Sequence, residues 1–226
     1  MDNVFYDGDG RTLHCAVNLD EDANNSRASI DTALDRAART GEVVELYAHS
    51  PGKAVSLDKL EYTLAGAASR GLRWVTYGEF ARGEGTGPGI ALSIDDAAVD
   101  LWTAARPLFD RYGAKVTFFV TRYYRLNEDR KAQLRALHDD GHEMQAHTSN
   151  HLRGPEYVED HGLRAYMEDE IIPSIELMRA DGYDITALAY PFGARTREID
   201  KAVLAHVSTL RSVAFSWSGP VMDGCP

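Results

Sequence analysis

The stretch IALSIDDAAVDLWTAARPLFDRYGAKVTFFVT, residues 90–121, contains one complete strand–helix–strand unit. Short apolar runs at 90–94 and 115–121 are typical of buried strands. Between them, the amphipathic segment 99–113 predicts a helix, with apolar residues at helical spacing from Leu101 to Tyr112. Two strands that are joined through a helix become parallel neighbours in one sheet. The stretch therefore predicts an α/β fold with a parallel sheet.

The same alternation extends along the rest of the chain. Further apolar runs occur at 13–19, 43–49, 72–77, 142–147, 185–190 and 210–217. Amphipathic segments lie at 29–40, 56–71, 127–141, 163–182 and 197–207. About eight strands in one chain of this size favour a closed barrel over an open doubly wound sheet. We predict a single α/β domain over residues 1–226, a distorted (β/α) barrel of about seven to eight mostly parallel strands.

Composition limits the classes of partner and compartment. The 226 residues carry a formal net charge of −11, which argues against nucleic acid as a partner. No apolar run approaches the ~20 residues of a membrane span, so we expect no membrane partner. The start, MDNVFYDGDG, lacks the features of a signal peptide. The sequence leaves the localisation open: the protein is secreted or in the cell envelope if a leader was removed, and otherwise cytoplasmic.

The two cysteines also leave a choice open. Cys15 and Cys225 lack the spacing of metal ligands and are too few for a disulfide framework. They form either one disulfide or two buried thiols.

Polar residues follow several predicted strands. In parallel α/β folds the chemistry gathers at the carboxyl ends of the strands, so these residues are the candidate site. The segments in question are His49-Ser50-Pro51-Gly52, Asp95-Asp96, His147-Thr148-Ser149-Asn150-His151 and Tyr190-Pro191-Phe192-Gly193.

Two histidines and two carboxylates suggest metal chemistry. His147 and His151 are four residues apart, so both imidazoles can reach one ion. Two histidines and one carboxylate leave a position for water, as in catalytic zinc sites. Of Asp95 and Asp96, one would bind the metal and the other act as a base. The alternatives are a chance histidine spacing and a helix N-cap formed by the aspartates.

Four segments in this part of the chain resemble a known family. ALSIDDAAVD resembles the strand-end Asp-Asp motif of polysaccharide deacetylases (carbohydrate esterase family 4, the NodB-homology domain). KVTFFVT resembles the second strand of that family, and EMQAHTSNHL its His-Ser/Thr-x-x-His metal motif. ALAYPFG resembles the third motif, in which Arg-x-Pro-Phe/Tyr is usual. The segments follow one another in the family's order.

The resemblance implies a role for each matching residue. Asp95 aligns with the catalytic base, and Asp96, His147 and His151 align with the metal ligands. The backbone N–H of Phe192 would help to form the oxyanion hole.

The sequence also departs from the family pattern. The glycine that usually follows the two aspartates is Ala97 here, and Ala189 stands where the motif has its base-orienting arginine. Arg195 is the nearby candidate to replace that arginine.

The order of the remaining motifs is rearranged. EVVELYAHSPG, residues 42–52, looks like the family's fifth motif, and His49 would then be the catalytic acid, oriented by Asp20. Residues 1–81 therefore resemble the family's C-terminal part and residues 90–226 its N-terminal part, with the Gly-rich loop 82–89 between them. We interpret this order as a circular permutation of one domain. The alternatives are half-domains exchanged between two chains, which would make an exchanged dimer, or a truncated domain in which His49 is unrelated.

The resemblance implies a metal-dependent hydrolase that removes acetyl groups from N-acetylated sugars of a polysaccharide or oligosaccharide. The expected cofactor is Zn²⁺, with Co²⁺, Ni²⁺ or Fe²⁺ as alternatives. Alternative functions are an O-acetyl (xylan-type) esterase, a small-amide hydrolase and a non-catalytic carbohydrate-binding protein. The candidate substrate-binding residues are Tyr190, Pro191, Phe192, Trp102 and Arg195. We assign Trp74 and Trp217 to core packing.

Overall fold

The computed structural model describes residues 2–214 and residue 225. Nine strands lie within this part of the chain, one more than predicted. They are β1 Phe5–Tyr6, β2 Leu13–Asn18, β3 Val43–Ala48, β4 Arg73–Trp74, β5 Gly89–Asp96, β6 Thr117–Val120, β7 Glu143–Ala146, β8 Ala187–Ala189 and β9 Thr209–Ala214.

Helices alternate with these strands along the described residues. They are α1 Arg27–Thr40, α2 Leu57–Ser69, α3 Tyr77–Ala81, α4 Val99–Ala104, α5 Arg106–Arg111, α6 Glu128–Asp139, α7 Gly154–His161, α8 Leu163–Tyr166, α9 Ile172–Ala180 and α10 Arg197–Val203. A π-helical turn, Met167–Ile171, connects α8 and α9. None of the described helices is long and apolar enough to cross a lipid bilayer.

Seven parallel strands form a closed barrel, as the sequence predicts. Around the barrel the order is β2, β3, β5, β6, β7, β8 and β9, and β9 pairs with β2 again. The chain therefore visits the barrel strands in sequence, and the first of them lies beside the last. Strand β1 runs antiparallel to β3, and among the described strands β4 pairs only with β5, so these two short strands lie outside the closed ring.

Three segments differ from their predicted form. The predicted strand 72–77 is strand for two residues, because a Thr76–Glu79 capping box starts α3 directly after it. The predicted helix 99–113 divides into α4 and α5, and Pro107 occupies the first turn of α5. The predicted helix 163–182 contains the π-helical turn just before Pro173, whose ring cannot be accommodated in a regular α-helical ladder.

The tryptophan predictions have different outcomes. Trp102 is fully buried and stacks on Phe118 with ring centroids 4.9 Å apart. The prediction that Trp102 binds substrate is therefore wrong, since the apolar face of α4 packs against the barrel. Trp74 is partly buried against the core, and Trp217 lies outside the described residues.

A disulfide joins Cys15 and Cys225, with Cα atoms 5.6 Å apart. Cys15 lies in β2, the strand that pairs with β9. The disulfide therefore holds a residue near the C-terminus against the first barrel strand, where the two ends of the barrel sequence meet.

Candidate active site

The carboxyl ends of the barrel strands surround one cleft of about 450 Å³. The end of β5 and the loops after β2, β3, β7 and β8 all contribute to it. Its lining includes Asn18, Asp20, Asp22, Tyr47, His49, Asp95, Asp96, His147, His151, Tyr190, Phe192 and Arg211. The structure thus brings the proposed acid, base and metal ligands together in a single chain.

Asp95 and Asp96 line the same cleft although they are adjacent at the end of β5. Neighbouring side chains of a regular strand point to opposite faces. Asp96, however, has a φ of 86°, a left-handed conformation that turns the chain at this residue. Such backbone conformations cost energy and are concentrated at functional sites. The turn explains how two consecutive carboxylates can take different roles in one site.

Asp96, His147 and His151 form the candidate metal site. The Asp96 Oδ1 atom lies 3.8 Å from His147 Nε2 and 3.2 Å from His151 Nε2. One ligand atom from each of the three residues lies within 4.8 Å of the other two. Burial alone would raise the pKa of Asp96, but the close contact with His151 and the neighbouring imidazoles outweigh it and hold that pKa below its usual value.

The orientation of His147 suits a metal ligand. Its Nδ1 lies 2.8 Å from the carbonyl oxygen of Ala189, so Nδ1 carries the proton and the Nε2 lone pair faces Asp96. Burial is the main cause that lowers the pKa of His147 to about 4, which keeps the imidazole neutral at neutral pH. This carbonyl belongs to Ala189, the residue at the position where the family motif has its arginine.

Glu170, a residue that sequence reasoning missed, holds the loop between the two histidines. Its carboxylate is buried and accepts hydrogen bonds from the Asn150 backbone N–H at 2.8 Å and the Asn150 side-chain amide at 2.6 Å. Its backbone carbonyl accepts from the N–H of Ser149 at 3.0 Å. Thr148 and His151 in this loop have φ of 62° and 63°. Glu170 therefore stabilises a backbone conformation that the loop would not favour alone.

The guanidinium that contacts Asp95 belongs to Arg211 of β9. Both side chains are buried, and Nη2 of Arg211 donates to Oδ2 of Asp95. The suggestion that Arg195 replaces the motif arginine is wrong, because Arg195 pairs with Asp200 at 3.0 Å. A clue existed in the sequence, since Arg211 is a lone charged residue within an apolar strand.

Arg211 also packs between two aromatic rings. Its Cζ lies 5.0 Å from the ring centroids of both Tyr47 and Phe119. Burial lowers the pKa of Arg211, but the charge and hydrogen bond of Asp95 outweigh that effect and raise it above its usual value. Asp95 therefore faces a permanent positive charge.

His49 and Asp20 form the opposite wall of the cleft. His49 Nδ1 is hydrogen-bonded to Asp20 Oδ2, and the His49 backbone N–H donates to Asp20 Oδ1 at 3.1 Å. Burial alone would lower the pKa of His49. The hydrogen bond with Asp20 and the charges of Asp95 and Asp96 outweigh it and raise that pKa to about 9. His49 is therefore protonated at neutral pH in the metal-free protein.

The segment after β8 contributes one exposed ring. Phe192 has φ 58° and ψ 9° and is 46% exposed, so its ring stands at the rim of the cleft. Tyr190 lines the cleft from a buried position. The prediction that Pro191 and Arg195 bind substrate is not supported, since neither belongs to the described lining. Pro191 is buried, and Arg195 pairs with Asp200.

Comparison with known proteins gives a family and a fold. The family model for polysaccharide deacetylase matches residues 82–208. The structure is similar to IcaB from Ammonifex degensii, with a TM-score of 0.61 and 20% identity over 76% of this chain and 85% of that one. It is also similar to a de-N-acetylase from Aggregatibacter actinomycetemcomitans, with a TM-score of 0.60 and 16% identity over 75% of this chain and 86% of that one. For the BpsB deacetylase domain from Bordetella bronchiseptica the TM-score is 0.52, with 16% identity over 94% of this chain and 96% of that one. No curated protein matches.

Proposed function

Because the chain belongs to the polysaccharide deacetylase family, we propose that it is a metal-dependent hydrolase that removes acetyl groups from N-acetylated sugars of a polysaccharide or oligosaccharide. One observation carries the proposal. A single cleft holds Asp95 beside a buried arginine, an Asp96–His147–His151 ligand group, and the His49–Asp20 pair. Base, metal site and acid are the three parts that hydrolysis of an amide needs.

The residues fit a divalent cation. The Asp96 Oδ1 atom is buried and has no hydrogen-bond partner within residues 2–214 and 225, although it faces two imidazole nitrogens. One carboxylate and two imidazoles are the donor set of Zn²⁺, and Co²⁺, Ni²⁺ or Fe²⁺ accept the same donors. A bound cation would polarise the acetyl carbonyl and lower the pKa of the attacking water.

Three groups of the protein act on the substrate: Asp95 and His49 each transfer one proton, and the Phe192 backbone N–H donates a hydrogen bond. Asp95 accepts a proton from the attacking water, and the water oxygen forms a bond to the acetyl carbon. The backbone N–H of Phe192 donates a hydrogen bond to the carbonyl oxygen as negative charge develops there. His49 donates its proton to the sugar nitrogen as the carbon–nitrogen bond breaks. The products are acetate and a free amino sugar.

The net charge of the chain, −11, favours a neutral substrate over an anionic one. Within the cleft, the carboxylates of Asp20, Asp22, Asp95 and Asp96 are offset by Arg211 and by the protonated His49. An anionic polymer would be repelled by the chain as a whole, whereas a neutral N-acetylated sugar would not. One similar structure is itself a de-N-acetylase, which supports the amide as the bond that is cleaved.

We also propose that the chain is a circular permutation of the family's domain. The family match begins in the Gly-rich loop, at residue 82, and ends at residue 208. His49 and Asp20 lie before that match, yet they reach the same cleft from β3 and β2. Because β2 lies beside β9, a break between these strands leaves the barrel intact.

The test measures acetate release from N-acetylated oligosaccharides by the purified protein. We expect bound metal at about one ion per chain, loss of activity with a chelator, and recovery on addition of Zn²⁺. Asp95→Asn should lower kcat by about 1,000-fold, because the base is removed. Asp100→Asn is the matched control, since Asp100 is an exposed acid on α4 that pairs with Arg130.

Two results would contradict the proposal. One is activity that survives both the chelator and Asp95→Asn. The other is release of acetate from O-acetylated xylan but from no N-acetylated sugar, which would instead support the esterase.

A further inference from the structure

Strand β9 contributes to the candidate active site from both of its faces. Arg211 and Val213 line the cleft. Because neighbouring side chains of a strand point to opposite faces, Ser212 between them points away from the cleft, and it is fully buried. A buried hydroxyl is costly unless it forms a hydrogen bond, so the partner of Ser212 indicates what this residue does.

The partner of Ser212 is the loop that carries Phe192. The Ser212 hydroxyl donates to the backbone carbonyl oxygen of Gly193 at 2.9 Å. The Tyr190 backbone N–H donates to the carbonyl oxygen of Arg211 at 3.0 Å. Two consecutive residues of β9 therefore hold the loop on either side of Phe192. Of these two contacts, the one from Ser212 depends on a side chain.

Gly193 allows the loop to lie close against β9. A Cβ atom at this position would lie 2.7 Å from Cγ2 of Val213 and 2.9 Å from Oγ of Ser212, closer than Cβ atoms approach such neighbours. Gly193 also has a φ of 67°, in the left-handed region that favours glycine. Because no side chain intervenes, the Ser212 hydroxyl reaches the Gly193 carbonyl oxygen directly.

The backbone of Phe192 depends on such support. Its φ of 58° and ψ of 9° are left-handed, a conformation that a residue with a large side chain rarely adopts unless its surroundings impose it. The Gly193 N–H donates to the Tyr190 carbonyl oxygen at 2.9 Å, but this bond lies within the loop. The Ser212 hydroxyl instead ties the loop to the barrel, directly after Phe192.

We propose that Ser212 is a positioning residue for deacetylation and that its hydroxyl fixes the direction of the Phe192 backbone N–H. This inference rests on the proposed function, because that N–H acts on the acetyl oxygen only when a sugar occupies the cleft. A donor stabilises a developing oxyanion best when it is already in place before the reaction. Ser212 does not belong to the described lining of the cleft, so it acts through the loop.

The experiment removes the hydroxyl and follows two substrates. We expect Ser212→Ala to lower kcat about tenfold on an N-acetylated oligosaccharide, with KM changed by less than about twofold, because the N–H acts in the transition state. Hydrolysis of p-nitrophenyl acetate should fall by the same factor, since both substrates develop negative charge on the acetyl carbonyl oxygen. Loss of a proton donor would instead slow the amide far more than the ester.

Two further variants are the controls. Ser212→Thr keeps the hydroxyl and should restore most of kcat, which also guards against a general loss of folding in Ser212→Ala. Ser208→Ala is the matched control, because Ser208 is an exposed serine that directly precedes β9, and it should leave kcat unchanged. The proposal is overturned if Ser212→Ala keeps the wild-type kcat, or if its loss falls on the amide alone.

Hydrogen exchange separates this inference from the proposed function. In the metal-free protein, we expect the amide protons of Phe192 and Gly193 to exchange about tenfold faster in Ser212→Ala than in the wild type. If they do while the wild type releases no acetate, the contact of Ser212 with the loop stands and the deacetylase function fails. If the wild type releases acetate and Ser212→Ala changes neither exchange nor kcat, the function stands and the positioning role fails.

Discussion

The metal side and the acid side of the cleft are built by different means. On the metal side, Asp96 and the 147–151 loop depend on backbone conformation. Six described non-glycine residues have positive φ, and four of them, Asp96, Thr148, His151 and Phe192, belong to this side. On the acid side, His49 and Asp20 stand at the ends of two neighbouring strands and are held by a side-chain contact.

This difference separates two ways of building a site. A conformation that depends on consecutive residues leaves a short motif in the sequence, such as HTSNH at residues 147–151. A pair that depends on strand neighbours leaves no local motif, because its members can be far apart in the chain. Substitutions on the metal side should therefore change metal affinity, and those on the acid side should change proton transfer.

The largest expected effect concerns Arg211, which lies between the two sides. Arg211→Met leaves the Asp95 carboxylate buried without a partner, so we expect a loss of about 3–5 kcal/mol in the free energy of unfolding. Chemical denaturation of the metal-free protein measures it. The double variant Asp95→Asn/Arg211→Met should lose less than the sum of the single variants. Additive losses would show that the pair is not coupled.

His49→Ala tests the acid side by itself. We expect kcat on an N-acetylated sugar to fall about 100-fold, because the amine cannot leave without a proton. Hydrolysis of p-nitrophenyl acetate should fall far less, because its leaving group needs no protonation. His206→Ala is the control, a histidine that follows α10. Equal losses on both substrates would remove His49 from the role of acid.

Glu170→Ala tests whether backbone conformation controls the metal side. Without the carboxylate, Asn150 loses two hydrogen bonds and the 147–151 loop relaxes. We expect Zn²⁺ affinity to fall about 10- to 100-fold, the usual effect of losing such a supporting contact. Competition with a chelating dye measures it. Glu168→Ala, an exposed residue of the same π-helical turn, should leave the affinity unchanged.

The smallest expected effect is a shift in pH dependence. His49 has a raised pKa of about 9, so the acid is protonated below that pH and is lost as the pH rises through it. Asp20→Asn removes the charge that raises this pKa, and we expect the pKa of His49 to fall by about 1–2 units. NMR titration of His49 in the metal-free protein and the alkaline limb of kcat/KM measure the shift. An unchanged titration would contradict the assigned cause.

Much of the fold follows from periodicity alone. All eight predicted strands occur within the described residues, because each is a short apolar run between amphipathic segments. Strand β1 could not be predicted, since two residues carry no periodicity. The division of 99–113 and the π-helical turn before Pro173 depend on where a proline falls within a helix that is otherwise regular.

The candidate site was less accessible from the sequence. The adjacent pair Asp95-Asp96 and the His147-x-x-x-His151 spacing are local patterns, which a sequence shows directly. The partner of Asp95 is not local, and Arg195 is a candidate only because it follows the Ala189 position in the chain. Arg211 reaches Asp95 across the interior of the barrel. Trp102 was misassigned for the same reason, since nearness to Asp96 in sequence does not decide which face of a helix a ring occupies.

The Cys15–Cys225 disulfide makes the polypeptide almost a closed covalent ring. The Gly-rich loop 82–89, in which most residues are exposed, lies within that ring. A single cut there would leave both pieces covalently linked through the two cysteines. Followed from the cut, the chain would run from residue 90 to the disulfide and then onward to residue 81. In the oxidised protein, cleavage of one peptide bond in this loop would therefore change the order of the segments along the chain without separating the domain into two pieces.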